Sequence, residues 1–402
     1  MTESPKRAVL RFNIHYAVQA FAESAGGVFV FVYFLHAGFS VAATLVILAV
    51  LLAGRFVLRP VILPFARRFG LKLSLILGAL LNATTFPLLT AVHGLGLALA
   101  VFCAVGSLAG VFYWTCFHAY FAMAGDAEQR GRQIGVRDAI ATTVGVAAPL
   151  IGGFSLAIVG PGPTFWAVGA IQALSIAPLI GAPNFAIAPR APEAFATARQ
   201  VAALMVVDGV FAAGFFHVWQ IALFVSLGES FAAFGGAVAL ATLVGAACGP
   251  MLGRFVDLGH GRRVVIAAYA SAAVVVALRA ASLGSPLLAV GANAAGAFVS
   301  GLLAPAMMTP VYNLAKASPC ALRFHIVTEG AWDVGCGAGC LLAAAFAAFG
   351  LPLGAGILIA APAAFVLMAQ LLRYYQAHPA VLTSPPSMAG ATNAVARLSG
   401  PD

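Results

Sequence analysis

The chain alternates long apolar runs with short turns, and most of its charged residues lie in the turns. An apolar helix needs about 20 residues to cross roughly 30 Å of hydrocarbon. Barrel strands would instead be about 10 residues long, with strict alternation of apolar and polar residues, and these runs do not alternate. The 402 residues leave room for about twelve membrane helices with short connections. We therefore expect an all-α polytopic membrane protein.

The amount and placement of charge support a membrane location. Charged residues make up 8% of the chain, against about 25% in a typical soluble domain. The formal net charge of +9 would also suit a nucleic-acid partner. However, all the basic residues except Arg55 and Arg279 fall in termini, turns and span ends that we assign to the cytoplasmic side of the membrane. This positive-inside asymmetry predicts that both termini are cytoplasmic and that the chain does not bind nucleic acid.

The order of the apolar runs predicts twelve spans in two halves. The expected spans are 13–36, 41–65, 71–93, 96–124, 133–159, 164–182, 200–227, 230–256, 264–283, 286–314, 323–349 and 352–375. The expected domains are an N-terminal six-helix bundle, a cytoplasmic linker, a C-terminal six-helix bundle and a disordered cytoplasmic tail, at 1–182, 183–199, 200–375 and 376–402.

A weak internal repeat supports this division. A shift of 190 residues superposes Pro60 on Pro250, and it also superposes Val144 and Gly145 on Val334 and Gly335. Internal repeats of this kind are common in secondary transporters. The two halves are therefore expected to be pseudo-symmetric.

One charged turn carries a specific pattern. After the eighth apolar run the chain reads Gly253-x-x-x-Asp257 and then Gly261-Arg262-Arg263. This resembles the cytoplasmic signature Gly-x-x-x-Asp-Arg-x-Gly-Arg-Arg of the major facilitator superfamily of secondary transporters. The present turn departs from that signature by one extra residue and by Leu258 in place of the Arg.

A second resemblance lies in the fifth span. The run from Gly145 to Gly153 includes Pro149, Gly152 and Gly153, and it is similar to the Gly-Pro-x-x-Gly-Gly motif of exporters in that superfamily, with Ala148 replacing the first Gly. The alternative is that these small residues only allow close helix packing.

The resemblance implies how the halves meet and open. It places the second span against the eleventh and the fifth against the eighth, and it implies charged contacts that close the cytoplasmic side. One of these is Asp257 facing the positive end of the fifth helix dipole. The gate residues implied are Arg59, Arg254, Asp257, Arg262, Arg263, Arg137 and Asp138.

Four charged residues are expected near the middle of the membrane. At about 1.5 Å per residue, Glu23, Asp208, Asp333 and Arg55 each come out roughly 15 Å from the cytoplasmic end of their helices. Intramembrane charge is costly and usually functional. The proton-coupling candidates are Glu23, Asp208, Glu329 and Asp333. The alternative is a set of structural pairs, such as Arg55 with Glu23, that never exchange protons.

Helical spacing adds polar partners to these charges. His15, Gln19 and Glu23 are spaced by four residues, and His325 precedes Glu329 and Asp333 at the same spacing, so each set shares a helix face. His15 and His325 are proton-relay candidates. The alternative for both histidines is contact with the lipid headgroups.

Aromatic and polar residues on several spans are candidates for a substrate site. Trp114 and His118 share one face of the fourth span, although aromatic residues near a helix end often form an interfacial belt instead. The full set of substrate-binding candidates is Arg55, Gln19, Trp114, His118, His217 and Gln220.

These features predict a transporter of the bacterial inner membrane. The leading hypothesis is proton-coupled efflux of a small organic solute by an antiporter that alternates its access. The first alternative is uptake or exchange of a small organic anion bound by Arg55. A more distant alternative is a sensor or scaffold that does not transport.

Other classes and partners are not expected. The sequence has no Gly-x-Ser-x-Gly, His-Glu-x-x-His or Cys-x-x-Cys motif, so an enzyme is not predicted. No cofactor or metal is expected, and the energy source would be the proton gradient, although Na⁺ would fit the same carboxylates. The expected partners are the solute and the bilayer, with no obligate protein partner and a monomeric state. The six cysteines have the spacing of small core residues.

Overall fold

A computed structural model shows a helical bundle and describes residues 5–124, 130–188, 190–257 and 261–377. In some of these stretches only the backbone is described, among them 130–139 and 247–257. The predicted tail therefore lies almost entirely outside the described residues.

The helices follow one another with short connections. They are α1 (Pro5–Ala25), α2 (Val30–His36), α3 (Val41–Leu58), α4 (Ile62–Leu89), α5 (Leu97–Ala124), α6 (Arg130–Ile158), α7 (Pro161–Leu174), α8 (Ala177–Ile180), α9 (Glu193–Ala212), α10 (Trp219–Ser226), α11 (Phe231–Asp257), α12 (Gly261–Ala281), α13 (Pro286–Ala317), α14 (Ala321–Ala348), α15 (Leu353–Leu358) and α16 (Ala360–Ala377). Short 3-10 turns, Gly27–Phe29 and Arg59–Val61, join α1 to α2 and α3 to α4, and a π-helical segment, Ala213–Val218, joins α9 to α10.

Local sequence explains where several helices begin and end. The Ser40 hydroxyl accepts a hydrogen bond from the Ala43 amide at 3.1 Å and caps α3. Gly160 ends α6 with a φ of 93°, a left-handed conformation that favours glycine, and Pro161 then opens α7. These signals make the connection between the fifth and sixth spans very short.

The apolar helices show that this is a multi-pass membrane protein. In the described part of the chain, nine helical stretches are long and apolar enough to cross a bilayer. One of them, Val41–Leu89, is 49 residues long and is interrupted at Gly70, where φ is 83° and the backbone is not helical. Two further apolar helices, Thr142–Ile158 and Phe231–Ala246, are shorter.

Some predicted boundaries differ from those observed. The helix α9 begins at Glu193, inside the predicted linker, because an acidic residue in the first turn complements the helix dipole there. The first and seventh spans, predicted as continuous helices, are interrupted at Gly27–Phe29 and Ala213–Val218.

The two halves pack as the resemblance implies. The helix α14 packs along both α3 and α9, and α6 packs along α11. The expected contacts of the second span with the eleventh, and of the fifth with the eighth, are therefore confirmed.

The glycines of the fifth-span motif lie at the closest of these helix contacts. A Cβ atom on Gly153 would lie 2.5 Å from the Phe231 carbonyl oxygen, and one on Gly152 would overlap the Ala25 carbonyl oxygen. The motif thus brings α6 against both α1 and α11, which is the close packing expected of small residues in membrane helices.

The connection between the halves is fixed at both of its ends. Asn184 donates to the Phe69 carbonyl at 2.8 Å and accepts from the Lys72 amide at 3.0 Å, which holds the chain at the Gly70 kink. Further along, the Ala188 carbonyl accepts from the Arg323 guanidinium of α14 at 3.0 Å. The segment before α9 therefore contacts both halves.

Candidate functional site

A cavity of about 200 Å³ lies between the two halves, lined by residues of α1 to α5 and by His217 and Trp332 of the second half. Its walls combine polar and aromatic side chains. The polar ones are Glu23, Arg55, Asn82, Thr85 and His217. The aromatic ones are Phe31, Phe86, Phe102, Trp114 and Trp332. The predicted positions of Glu23, Arg55, Trp114 and His217 around one site agree with this arrangement.

Glu23 stands in this wall without a basic partner. It lies near the end of α1, just before the Gly27–Phe29 turn, and Asn82 of α4 lines the same cavity. Within the described residues it makes no salt bridge. The structural pair of Glu23 with Arg55, which the sequence left open, is therefore not formed.

Arg55 instead joins an ion-pair network with the other half. Its Nη2 lies 3.1 Å from Asp333 Oδ1 and 3.8 Å from Glu329 Oε2. Arg59, one turn further along, also pairs with Asp333 and donates to Thr115 Oγ1 at 2.9 Å. We call Arg55, Arg59, Glu329 and Asp333 the inter-half network. It contains two positive and two negative groups, so its formal charges balance.

A pair of histidines continues the network along α14. The rings of His118 on α5 and His325 on α14 stack with centroids 5.5 Å apart and an angle of 29° between their planes. His325 is buried, so it does not lie at a lipid headgroup. His118, predicted in the substrate site, contacts His325 and is not in the cavity wall.

His15 and Gln19 face the interior of the first half. His15 bonds through its ring nitrogens to the Ser175 carbonyl at 2.8 Å and the Tyr113 hydroxyl at 3.2 Å, and Gln19 accepts from Gln172 of α7. Gln19 therefore does not line the cavity as predicted. The reason is that 3.6 residues per turn rotate a four-residue stripe around the helix, so only its Glu23 end reaches the cavity.

Asp208 lies behind one wall of the cavity. Its Oδ2 accepts from Trp332 Nε1 at 3.1 Å, and it forms no salt bridge within the part of the chain that is described. His217, in the π-helical segment, lines the cavity, and its Nδ1 atom is buried without a hydrogen-bond partner among the described residues. Gln220 was predicted to join His217 but is not in the wall. A π-helix closes its hydrogen bonds over five residues, so a three-residue spacing no longer puts both on one face.

The predicted cytoplasmic gate is described only in part. The side chains of Arg262 and Arg263 are exposed at the start of α12, whereas Arg59 is buried in the inter-half network. The side chains of the remaining candidates lie outside the described ones; these are Arg254, Asp257, Arg137 and Asp138.

Sequence reasoning missed several residues that build the site. Asn82 lines the cavity together with Glu23, and Trp332 donates to Asp208. The available signals were a polar residue in the third span and a tryptophan next to Asp333 in the sequence. Arg279 was noted in the sequence only because it departs from the positive-inside asymmetry. In the structure it is buried beside the π-helical segment. It donates to the Phe215 carbonyl at 2.5 Å and lies over the rings of Phe215 and Trp219, at 4.3 Å and 4.8 Å from their centroids.

Comparison with known proteins gives matches in structure. No protein-family model and no curated protein match the sequence. The crystal structure of an auto-inhibited POT family peptide transporter matches with a TM-score of 0.67 at 12% identity, over 95% of this chain and 99% of that chain. A point mutant of the nucleoside transporter NupG matches with a TM-score of 0.65 at 14% identity, over 92% of this chain and 100% of that chain.

A third match is a POT family transporter in complex with 5-aminolevulinic acid, with a TM-score of 0.63 at 12% identity, over 94% of this chain and 97% of that chain. All three of these proteins are transporters. At such low identities the likeness concerns the fold. The chain thus shares the fold of these membrane transporters, in agreement with the resemblance of its motifs to those of the major facilitator superfamily.

Proposed function

We propose that this protein is a secondary transporter that moves a small organic solute across the membrane by alternating access, in exchange for protons. Export is the favoured direction, because the fifth-span motif resembles that of exporters. The observation that carries the proposal is the position of Glu23 in the wall of the cavity, beside Asn82 and without a basic partner in the described residues. An acid in that position can exchange a proton for a solute.

The inter-half network supplies the element that must change during transport. Arg55 and Arg59 belong to the first half, and Glu329 and Asp333 belong to α14 of the second half. Separating the halves on this side would break both links to Asp333. Proton binding to Asp333 or Glu329 would weaken those links, so we assign both acids to coupling, with His325 next to them as a relay.

His15, Asp208 and the charged turns complete the proposal. His15 would relay protons in the first half, as His325 would in the second. Asp208 would be a further proton site beside Trp332. The charged turns at Asp257 and Arg262 would close the cytoplasmic side together with Arg59.

The arrangement of the chain in the membrane is also proposed. We infer twelve spans from the nine long apolar stretches, the break at Gly70 and the two shorter apolar helices. Both termini would be cytoplasmic and the membrane would be the bacterial inner membrane. A monomer would be the working unit, with no bound cofactor and with H⁺ or Na⁺ as the coupling ion.

A second candidate function is uptake or exchange of a small organic anion bound by Arg55. The observation that favours it is the Nε atom of Arg55, which is buried in a side chain lining the cavity and has no hydrogen-bond partner among the described residues. Such an anion would have to compete with Asp333 and Glu329 for the guanidinium.

The test is substrate-driven proton movement in proteoliposomes, with panels of organic cations and anions. The wild type would be compared with Glu23→Gln, and Glu229→Gln in an exposed turn would serve as the matched control. We expect the wild type and the control variant to show a proton flux, and we expect Glu23→Gln to show none. Flux that is driven by anions, survives Glu23→Gln and is abolished by Arg55→Ala would favour the second function. Absence of solute movement with every panel would contradict transport.

A further inference from the structure

The charge balance around the cavity indicates which solutes fit it. Arg55 is the basic side chain in the wall, and its charge is matched by Asp333 at 3.1 Å and Glu329 at 3.8 Å on the other half. Arg59 has Asp333 as its own partner. Once this balanced network is set aside, Glu23 is the acidic or basic side chain that remains among the described residues of the wall, apart from His217.

The remaining wall suits the body of an organic cation. Trp114 and Trp332 both line the cavity. Aromatic faces attract cations through the ring quadrupole, and the Arg55 guanidinium already lies over the Trp332 ring, with its central carbon 6.0 Å from the ring centre. A second acid, Asp208, holds the indole N–H of Trp332 at 3.1 Å. Its acceptor oxygen fixes the orientation of the Trp332 ring. The electron-rich faces of the two indole rings disfavour an anion on this side of the cavity.

The size of the cavity limits the solute. Its volume is about 200 Å³, and an apolar cavity of roughly 150 Å³ holds a benzene molecule. A benzene ring with one aminomethyl group therefore fits, whereas a drug-sized molecule does not fit without the walls moving.

We propose that the cavity binds a small monovalent organic cation, with the charged group at Glu23 and Asn82 and the apolar body against Trp114 and Trp332. This inference rests on the proposed function, since it names the class of solute at the same site. The proposal predicts different affinities for a cation, an anion and a neutral solute of similar shape. A binding measurement can therefore test it without a transport assay.

Three probes of nearly the same shape make that test. Benzylammonium, benzyl alcohol and benzoate differ mainly in charge, and their dissociation constants for the purified wild type in detergent can be measured by calorimetry. We expect benzylammonium to bind at least about tenfold more tightly than benzyl alcohol, because a charged hydrogen bond and a cation–π contact are added. Benzoate should bind most weakly. Tighter binding of benzoate, equal binding of the three probes, or binding of none of them would overturn the proposal.

Variants of the protein test whether Glu23 causes the preference for the cation. In Glu23→Gln the ratio between benzylammonium and benzyl alcohol should fall to about one, while Glu229→Gln should keep the wild-type ratio. A preference that persists in a folded Glu23→Gln protein would overturn the role of Glu23. If Glu23→Gln does not fold, Asn82→Leu provides a second variant, which should reduce the same ratio.

The outcome is distinguishable from that of the transport experiment. Selective binding of the cation without solute-driven proton movement would support this inference and contradict the proposed function. Proton movement driven by anions would support transport and contradict the cation site.

Discussion

At the scale of single residues, Asp333 holds the most demanding position. Its side chain is fully buried and pairs with both Arg55 and Arg59. A buried ion pair adds little net stability, since desolvation offsets the attraction, but removing one partner leaves a buried charge unpaired. Asp333 therefore keeps two arginines of the first half against α14.

Asp333→Asn should lower the free energy of unfolding by about 3–5 kcal/mol, because Arg59 would keep only Thr115 as a partner. Thermal unfolding in detergent would measure this loss. The double variant Arg59→Met/Asp333→Asn should lose less than the sum of the single variants, since the two residues are coupled. Additive losses would contradict the pairing.

At the scale of helices, close contacts between α6 and α11 depend on single glycines. A Cβ atom on Gly235 would overlap the Pro149 carbonyl oxygen, whereas one on Gly236 would meet no atom within 4 Å. The two positions are neighbours on α11, so they differ in packing and hardly in membrane depth.

Gly235→Ala should therefore destabilise the protein by about 1–3 kcal/mol, as overpacking does, and Gly236→Ala should change stability little. Thermal unfolding of both variants in the same detergent would check the difference. Equal melting temperatures would show that α6 and α11 can separate at this contact without cost.

The π-helical segment Ala213–Val218 is a second feature at this scale, and Arg279 supports it. The guanidinium donates a hydrogen bond to the Phe215 carbonyl and lies over the rings of Phe215 and Trp219. A Cβ atom on Gly296 of α13 would overlap this guanidinium, whereas Gly291 on the same helix faces open space. Displacing Arg279 should let the segment relax toward an α-helix and rotate His217 away from the cavity.

The accessibility of a cysteine at position 217 would measure that rotation. In His217→Cys, a water-soluble thiol reagent should label the cavity, and adding Gly296→Ala should reduce the labelling rate severalfold. Adding Gly291→Ala should leave the rate unchanged. The five cysteines whose side chains are described are buried, and the parent protein gives the labelling background. Equal rates in both double variants would contradict a role for Arg279 in positioning His217.

At the scale of the whole molecule, alternating access requires α3 and α14 to separate. A Cβ atom built on Gly337 would lie 3.8 Å from Leu52 Cβ, which is the usual separation in a disulfide. The variant Leu52→Cys/Gly337→Cys, with Cys336 and Cys340 changed to Ala, should form a cross-link between the halves.

Oxidation of that variant should abolish solute-driven proton movement in proteoliposomes, and reduction should restore it. Ala280→Cys/Gly354→Cys is the matched control, since a Cβ atom on Gly354 would lie 3.6 Å from Ala280 Cβ within one half. Its cross-link should not affect transport. Full activity of the oxidised inter-half variant would contradict alternating access at this interface.

The sequence predicted the fold well and the site in part, for physical reasons. Length and polarity of apolar runs are set by the bilayer, so the apolar membrane helices followed from them, while their number, twelve, stays a prediction. The pairing of α3 with α14 followed from the family resemblance. The shared membrane depth of Glu23, Arg55 and Asp333 stays a prediction from helix rise. The side-chain partners of these residues were not predicted, because they depend on helix rotation and tilt. Arg55 pairs with Asp333 and not with Glu23, and Gln19 bonds to Gln172 of α7.

The inter-half network has a consequence for the speed of closing. When the halves part, the exposed face of the first carries the two arginines, and the face of the second carries the two carboxylates. Opposite charges attract across water over a screening length of about 8 Å at physiological ionic strength. Added salt should therefore slow the return to the closed state, while the opening step, which starts from desolvated pairs, should respond to salt far less.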